Sequence, residues 1–198
     1  MSNWSDTRNL HPPENDLKTV FLDRDGVLNR KMPEGEYVTR WDQFELLPGV
    51  PEAIAALNQR GLRVIVVSNQ RGVALGLYTR ADVDFIHNQL QQQLAESGAH
   101  VDKFYFCPHD KNECNCRKPL PGLFEQARAD FPEIEPSACV IFGDSLSDIE
   151  FGKNLGLKTI FIKSKTENPK AGASTASMIA DFTVSTLPEA VSCIFDTV

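Results

Sequence analysis

The sequence predicts an α/β protein whose parallel sheet is covered by helices on both faces. Three observations lead to this prediction. Short uninterrupted apolar runs, such as Val20–Leu22 and Leu62–Val67, are typical of buried parallel strands. Segments with helical apolar spacing separate these runs, and strands alternating with helices favour a parallel arrangement. Polar residues follow several strands directly, which is where open α/β sheets bind ligands. The expected fold class is therefore a Rossmann-like sheet.

Composition is that of one ordinary soluble domain. The chain has 198 residues, of which 41% are hydrophobic and 24% charged, and its formal net charge is -7. We expect a flexible lead-in at 1–17, which lacks the apolar core of a signal peptide, and one domain at 18–198. The acidic balance argues against nucleic acid, and no apolar run is long enough to span a membrane. A cytoplasmic monomer is expected.

The elements follow one another in a regular order. Strands are predicted at 20–22, 62–67, 101–106, 138–142 and 158–162, and helices at 48–60, 79–96, 121–130 and 147–155. Thr79 is a predicted N-cap, and Gly61 ends the first helix. Residues 29–44 can form a flap but are too few for a large cap domain. The polar, Ala/Ser-rich residues 163–178 are expected to form a mobile loop, and 181–198 a short strand and a closing helix.

Polar side chains come directly after three of the predicted strands and before one helix. They are Asp23 and Asp25 after the first strand, Ser68 and Asn69 after the second, Asp144 and Asp148 after the fourth, and Arg117 and Lys118 at the start of a helix. The carboxyl ends of parallel strands meet at one edge, so these groups are expected to converge there. Asp23 and Asp25 alone would also be compatible with an ordinary acidic pair at the surface.

This set of groups suits the hydrolysis of a phosphate monoester. Asp23, Asp144 and a main-chain carbonyl near Asp25 form an all-oxygen site of the kind that Mg²⁺ prefers. Ser68 can donate a hydrogen bond to a phosphoryl oxygen, Asn69 is expected to bind the substrate beside it, and Lys118 supplies a fixed positive charge. Asp23, nearer the sheet, is the better placed nucleophile for an aspartyl-phosphate. Asp25, further out on the loop, is better placed to protonate the leaving oxygen and activate water.

A second cluster of ligands lies just before the two basic residues. It offers three thiols and one imidazole: Cys107, His109, Cys114 and Cys116. Such a set is typical of a closed tetrahedral zinc site with a structural role, which here would aim Arg117 and Lys118 at the phosphate. The alternative is buried cysteines with an incidental histidine. The remaining histidines, including His87, have no partners at ligand spacing and are expected at the surface.

These motifs resemble those of the haloacid dehalogenase (HAD) superfamily of phosphohydrolases over residues 18–162. Asp23-Arg-Asp25-Gly26-Val matches the first motif of the family, Ser68 the second, Lys118 the third, and Gly143-Asp144 through Asp148 the fourth. The resemblance implies Asp23 as nucleophile, Asp25 as acid/base, and Mg²⁺ held by Asp23, the Asp25 carbonyl and Asp144. It also implies that Arg117 and Lys118 engage the substrate phosphate and that Asp148 orients Lys118 or a metal-bound water.

Within that superfamily the chain is most similar to D-glycero-D-manno-heptose 1,7-bisphosphate 7-phosphatases and to histidinol-phosphate phosphatases. The segments Phe21-Leu-Asp-Arg-Asp-Gly, Ser68-Asn-Gln70, Cys107-Pro-His109 and Cys116-Arg-Lys-Pro119 carry this similarity. The resemblance implies a heptose bisphosphate as substrate, in carbohydrate metabolism, and a zinc loop. The chain departs from heptose-specific members at Ser145, Leu75 and Leu77, where basic residues are common. Histidinol phosphate or another small sugar phosphate is the alternative substrate.

Two other classes of function use similar residues. DNA 3′-phosphatases share the chemistry, but this chain lacks a basic groove with aromatic residues. A non-catalytic phospho-acceptor module also places acids and a lysine at a sheet edge. A module that keeps its phosphate has no use for a second carboxylate such as Asp25, which favours the enzyme.

Overall fold

The computed structural model describes residues 17–163 and 172–195, which form a six-stranded parallel sheet. The strands are β1 (Thr19–Leu22), β2 (Arg63–Asn69), β3 (Lys103–Cys107), β4 (Cys139–Gly143), β5 (Lys158–Ile162) and β6 (Phe182–Val184). Their order across the sheet is β3-β2-β1-β4-β5-β6. The predicted lead-in, except its last residue, and half of the predicted mobile loop, residues 164–171, lie outside the described residues.

Helices cover both faces of this sheet. They are α1 (Val50–Gln59), α2 (Arg80–Ala95), α3 (Gly122–Asp130), α4 (Leu146–Leu155), α5 (Ala173–Ile179) and α6 (Leu187–Phe195). Side chains alternate along each strand, so Val20 and Leu22 of β1 pack in one core cluster with α1, α2 and α6. Phe21 points to the opposite face and packs in a second cluster with residues of α3 and α4. Within the described part, no helix is both long and apolar enough to cross a membrane.

The strand order places β1 at the centre, beside β2 and β4. Strand β1 pairs in register with β2, Leu22 opposite Val66, and with β4, Leu22 opposite Phe142. The strands that follow β1 are added toward one edge of the sheet and then toward the other, so the carboxyl end of β1 lies at the point where the strand order reverses. Crevices at this point are the usual ligand sites of open α/β sheets. The main-chain N–H of Asp23 still donates to Phe142, so the residues after β1 remain tied to β4 (2.9 Å).

The observed elements confirm the predicted α/β class, and they correct two local predictions. Residues 173–179 form helix α5 instead of a loop. Alanine is a good helix former, and the small Ala176 side chain lets α5 pack closely against Ile149 and Phe161. His87 was expected at the surface but is buried on α2, with its ring stacked 4.6 Å from that of Phe104. Thr79 is the N-cap of α2, as predicted, and its hydroxyl accepts from the N–H of Asp82.

Candidate active site

A buried lysine links two of the predicted acids. The Lys118 ammonium donates to Asp23 Oδ1 (2.9 Å) and to the Val67 carbonyl (2.6 Å), and pairs with Asp148 Oδ1 at 2.6 Å. Burial alone would lower the pKa of Lys118, but the carboxylates of Asp148 and Asp23 outweigh it and raise the pKa. Burial, together with the nearby Asp148 charge, raises the pKa of Asp23. Lys118 is therefore a permanent cation, held against the acid at the end of β1.

Asp144 lies on the other side of Asp23. One carboxylate oxygen from each of Asp23, Asp144 and Asp148 lies within 4.8 Å of the others. Lys31, from the flap, donates to both oxygens of Asp144, at 3.0 and 3.2 Å. Gly26 has a φ of 103°, and a side chain there would overlap the Asp144 carboxylate. Glycine at this position thus allows the turn after β1 to approach Asp144 closely.

Asp25 lies in a separate pair with Arg24. Nη2 of the buried Arg24 donates to both oxygens of Asp25, each at 2.9 Å, and Asn29 donates to Oδ1 at 3.0 Å. Burial favours the neutral form of Asp25, but the Arg24 charge and these hydrogen bonds outweigh it and lower the pKa. The Asp25 side chain retains 23% exposure, so it can be reached from solvent. Two acids two residues apart thus have opposite pKa shifts, raised for Asp23 and lowered for Asp25.

Ser68 and Asn69, the polar residues predicted after the second strand, form the end of β2, and Asn69 contacts Lys118. Asn69 accepts from the Lys118 main-chain N–H (3.0 Å) and donates to its carbonyl (3.1 Å). The side chain predicted to contact substrate therefore positions the backbone of Lys118, and its substrate contact stays a prediction. Ser68 is buried at the same edge. Arg117 presents a buried Nη1 that has no hydrogen-bond partner in the described part of the chain, a donor suited to an anion.

The four residues of the predicted zinc loop come together. The Cys114 Sγ lies 3.5 Å from that of Cys107 and 3.3 Å from that of Cys116, and His109 Nδ1 lies 3.3 Å from Cys116 Sγ. Salt-bridged Arg71 and Asp110 tie this loop to the segment after β2 (2.5 Å). The loop therefore stands beside the site and immediately before Arg117 and Lys118.

Comparison with known proteins identifies the family. A model of haloacid dehalogenase-like hydrolases matches residues 25–156. The chain belongs to this family. A D-glycero-alpha-D-manno-heptose-1,7-bisphosphate 7-phosphatase of Mycobacterium tuberculosis is 46% identical over 137 residues, which are 69% of this chain and 72% of that one. The D-glycero-beta-D-manno-heptose-1,7-bisphosphate 7-phosphatase of Escherichia coli K12 is 33% identical over 165 residues, 78% of this chain and 84% of that one.

Solved structures agree with this haloacid dehalogenase-like assignment. The D,D-heptose 1,7-bisphosphate phosphatase of B. bronchiseptica, crystallised with magnesium and phosphate, aligns with a TM-score of 0.79 and 28% identity, covering 92% of this chain and all of that one. The comparisons confirm the resemblance stated from the motifs and the prediction of a phosphatase-type enzyme.

Two ligand sets in this haloacid dehalogenase-like hydrolase fit metal ions of different kinds. Asp23, Asp144 and Asp148 offer only carboxylate oxygens, the donors that hard divalent cations prefer. Their three negative charges exceed the two positive charges of Lys118 and Lys31, so the cluster favours a further cation. Ligands about 2.0–2.3 Å from a zinc ion at tetrahedral angles stand roughly 3.5–3.8 Å apart. The observed separations of 3.3–3.8 Å in the Cys/His loop are close to this spacing.

The structure adds residues that the motifs do not reveal. Lys31 on Asp144, Arg24 on Asp25, and Gln70 between Asp25 and Ser68 are all within hydrogen-bond distance of predicted site residues. Arg24 and Gln70 stand inside the quoted motifs, which mark them as close to the site but do not identify their hydrogen-bond partners. Lys31 had no such signal, because only the path of the flap brings it to Asp144.

Proposed function

We propose that this enzyme is a Mg²⁺-dependent phosphomonoesterase that removes the 7-phosphate of D-glycero-D-manno-heptose 1,7-bisphosphate. The observation that carries the proposal is the position of Lys118 between Asp23 and Asp148, with Asp144 beside them and Asp25 in a separate pair with Arg24. This arrangement provides a nucleophile, a fixed cation and a separate acid/base. The named substrates of the relatives support the choice of the heptose.

In the first step, a carboxylate oxygen of Asp23 attacks phosphorus. The P–O bond to carbon 7 breaks as the aspartyl-phosphate forms, and a proton from Asp25 passes to the departing oxygen. Ser68 and the Nη1 of Arg117 donate hydrogen bonds to the phosphoryl oxygens, and the positive charge of Lys118, already in place beside Asp23, offsets the negative charge that develops there. These groups, and not the strength of Asp23 as a nucleophile, then supply most of the rate enhancement.

In the second step, Asp25 acts as a base. Now a carboxylate, it takes a proton from a water molecule whose oxygen attacks phosphorus, and the Asp23–phosphorus bond breaks to release inorganic phosphate. The lowered pKa of Asp25 suits this step, since the side chain is ionised at neutral pH before water is activated. The first step needs the protonated form, which the charge of an arriving phosphate dianion would favour.

Both metal sites belong to the proposal. Mg²⁺ bound by Asp23, Asp144 and the main-chain carbonyl of Asp25 would offset the repulsion between a carboxylate nucleophile and a phosphate dianion. Zinc bound by the Cys/His loop would have a structural role, holding the segment that leads into Arg117. Asp148 would act through Lys118, with which it pairs at 2.6 Å.

The relatives also suggest which anomer is preferred. Identity is 46% to the enzyme named for the α anomer and 33% to that named for the β anomer, which favours the α anomer here. The exposed Leu75 and Leu77 lie on the segment between β2 and α2 that leads away from Ser68, where they are placed to influence the choice of substrate. Histidinol phosphate is kept as the alternative substrate. A monomer acting on free substrate in the cytoplasm completes the proposal.

The test is phosphate release from a panel of esters in the presence of Mg²⁺. The panel holds both anomers of the heptose bisphosphate, histidinol phosphate, a hexose phosphate and a 3′-phosphorylated oligonucleotide. We expect the α-heptose bisphosphate to give a kcat/KM well above those of the others. A higher value for histidinol phosphate would refute the heptose assignment, and a higher value for the oligonucleotide would refute the sugar class.

The same assay tests the acid/base. Asp25→Asn keeps the size of the side chain but removes the proton transfer, so we expect turnover to fall by about 100-fold or more. Asp84→Asn, an identical change at an exposed position of α2, is the matched control and should retain full activity. Retained turnover in Asp25→Asn would show that another group transfers the proton.

A further inference from the structure

Gln70 is buried at the end of β2 and connects two groups that the proposed reaction uses. Its Nε2 donates to Asp25 Oδ2 (2.9 Å) and to Ser68 Oγ (2.7 Å). One amide group thus bridges the acid/base and the serine that would hold phosphate. We propose that Gln70 is a positioning residue, which fixes the Asp25 carboxylate and turns the Ser68 hydroxyl proton toward the substrate. This inference rests on the proposed function.

The orientation of the Gln70 amide is set by its partners. The Arg24 guanidinium can only donate, and it meets Oε1 at 3.3 Å. An ionised Asp25 can only accept, and it meets Nε2. Turning the amide over would place N–H against guanidinium and oxygen against carboxylate, so both contacts would become repulsive. The buried charge pair thus determines which end of the amide faces Ser68.

Tyr78 holds the same amide from the far side. Its hydroxyl donates to Gln70 Oε1 at 2.7 Å, and burial raises the pKa of Tyr78 to about 12, so the donor proton is retained. A side chain at Gly72 would overlap the Tyr78 ring, so glycine there allows the ring to approach. The N–H of Gln70 also donates to the Cys107 carbonyl at 2.8 Å, which ties it to the start of the Cys/His loop.

The consequence for Ser68 follows from hydrogen-bond polarity. A hydroxyl has one proton, and when its oxygen accepts from Gln70 that proton is left for another acceptor. A phosphoryl oxygen at the carboxyl edge of β2 is such an acceptor. With a carboxylate at position 70, the serine would donate inward and be lost as a phosphate donor.

The experiment compares two esters with the Gln70→Glu variant. The alkyl ester is the heptose 1,7-bisphosphate, whose 7-phosphate needs a proton on its leaving oxygen, whereas p-nitrophenyl phosphate has a leaving group good enough to depart without one. A displaced Asp25 should therefore lower kcat/KM about 100-fold for the alkyl ester and about 10-fold for the aryl ester. Weaker inhibition by inorganic phosphate, by about 10-fold, should report the loss of the Ser68 donor.

Two further variants make the result interpretable. Gln70→Met matches the volume of the side chain without adding charge. It should also lower the ratio of kcat/KM for the alkyl ester to kcat/KM for the aryl ester. Gln93→Glu places the same new charge at an exposed position of α2 and should change neither ratio nor inhibition. Equal losses on both esters in Gln70→Glu and Gln70→Met, with phosphate inhibition unchanged, would mean a purely structural role and overturn the inference. A wild-type enzyme that releases phosphate from neither the heptose bisphosphate nor p-nitrophenyl phosphate would overturn the proposed function as well.

Discussion

The molecule brings ligands together in two different ways. The carboxylate cluster draws Asp23 and Asp144 from the ends of two central strands, far apart in the chain but adjacent in the sheet. The Cys/His loop gathers its four side chains from ten consecutive residues. The first cluster is a product of the whole fold, whereas the second lies within one loop and would organise that loop when it binds metal. Loss of a ligand should therefore impair chemistry in the first case and structure in the second.

The largest effect is expected for Asp23→Asn, which should lower activity but raise stability. Phosphate release should fall about 1,000-fold or more, because the nucleophile is lost. Stability without added Mg²⁺ should rise, since burial and Asp148 raise the pKa of Asp23 and its charge opposes folding at neutral pH. We expect a thermal midpoint about 2–4 °C higher, equivalent to roughly 1 kcal/mol.

The sign of that stability change can be checked by pH. A raised folded-state pKa gives stability that is present in acid and lost as pH rises, so the advantage of Asp23→Asn should shrink toward acid pH. Asp84→Asn serves again as the control, with an unchanged midpoint. A midpoint lowered by Asp23→Asn at neutral pH would mean that the pairing of Asp23 with Lys118 outweighs the cost of its burial. The carboxylate cluster would then contribute to stability as the Cys/His loop does.

Cys116→Ser should show the reverse pattern. Loss of one thiolate weakens a structural zinc site, so the thermal midpoint should fall by about 6–12 °C, or roughly 3 kcal/mol. Catalysis should fall only about 10-fold, because Asn69 and Asp148 still hold Lys118. Cys193→Ser, the same change on α6, should leave bound zinc unchanged. Full zinc occupancy and an unchanged midpoint in Cys116→Ser would show that Cys116 is not a ligand of a structural zinc ion.

The smallest effect is expected at Lys31. Its ammonium pairs with both oxygens of Asp144, so it competes with a divalent cation for that carboxylate. Lys31→Met should tighten Mg²⁺ binding about 3–10-fold, measured by titration calorimetry, a gain of roughly 0.7–1.4 kcal/mol. Lys111→Met, in the exposed part of the Cys/His loop, is the control. Weaker Mg²⁺ binding in Lys31→Met would show that the lysine organises the site instead of competing for it.

Much of this architecture could be predicted because its signals are local. Apolar runs such as Leu62–Val67 mark strands, and the polar residues that follow three of the strands mark the edge where ligands bind. Helix α5 was missed because its sequence is small and polar, while its stability comes from burial of Ala176 against α4. Periodicity cannot report such a contact.

The hydrogen-bond partners of polar residues could not be predicted from the sequence either. Nothing in the sequence near Asp25 says that Gln70, 45 positions away, will donate to it, or that Lys31 will reach Asp144. His87 is a similar case, since its burial depends on stacking against Phe104 of another element. Residue type predicts which chemistry is available, whereas the tertiary fold decides which groups meet.

The pairing of β1 with β4 also affects the order in which the chain can become active. Thr19 lies opposite Cys139, about 120 positions later, so the first and last acids of the site cannot meet until most of the polypeptide has left the ribosome. Contacts of such long separation form late, whereas the ten residues of the Cys/His loop can close early. A chain halted before β4 would thus carry a metal-ready loop and no catalytic edge, so a truncated translation product would be inert toward phosphate esters.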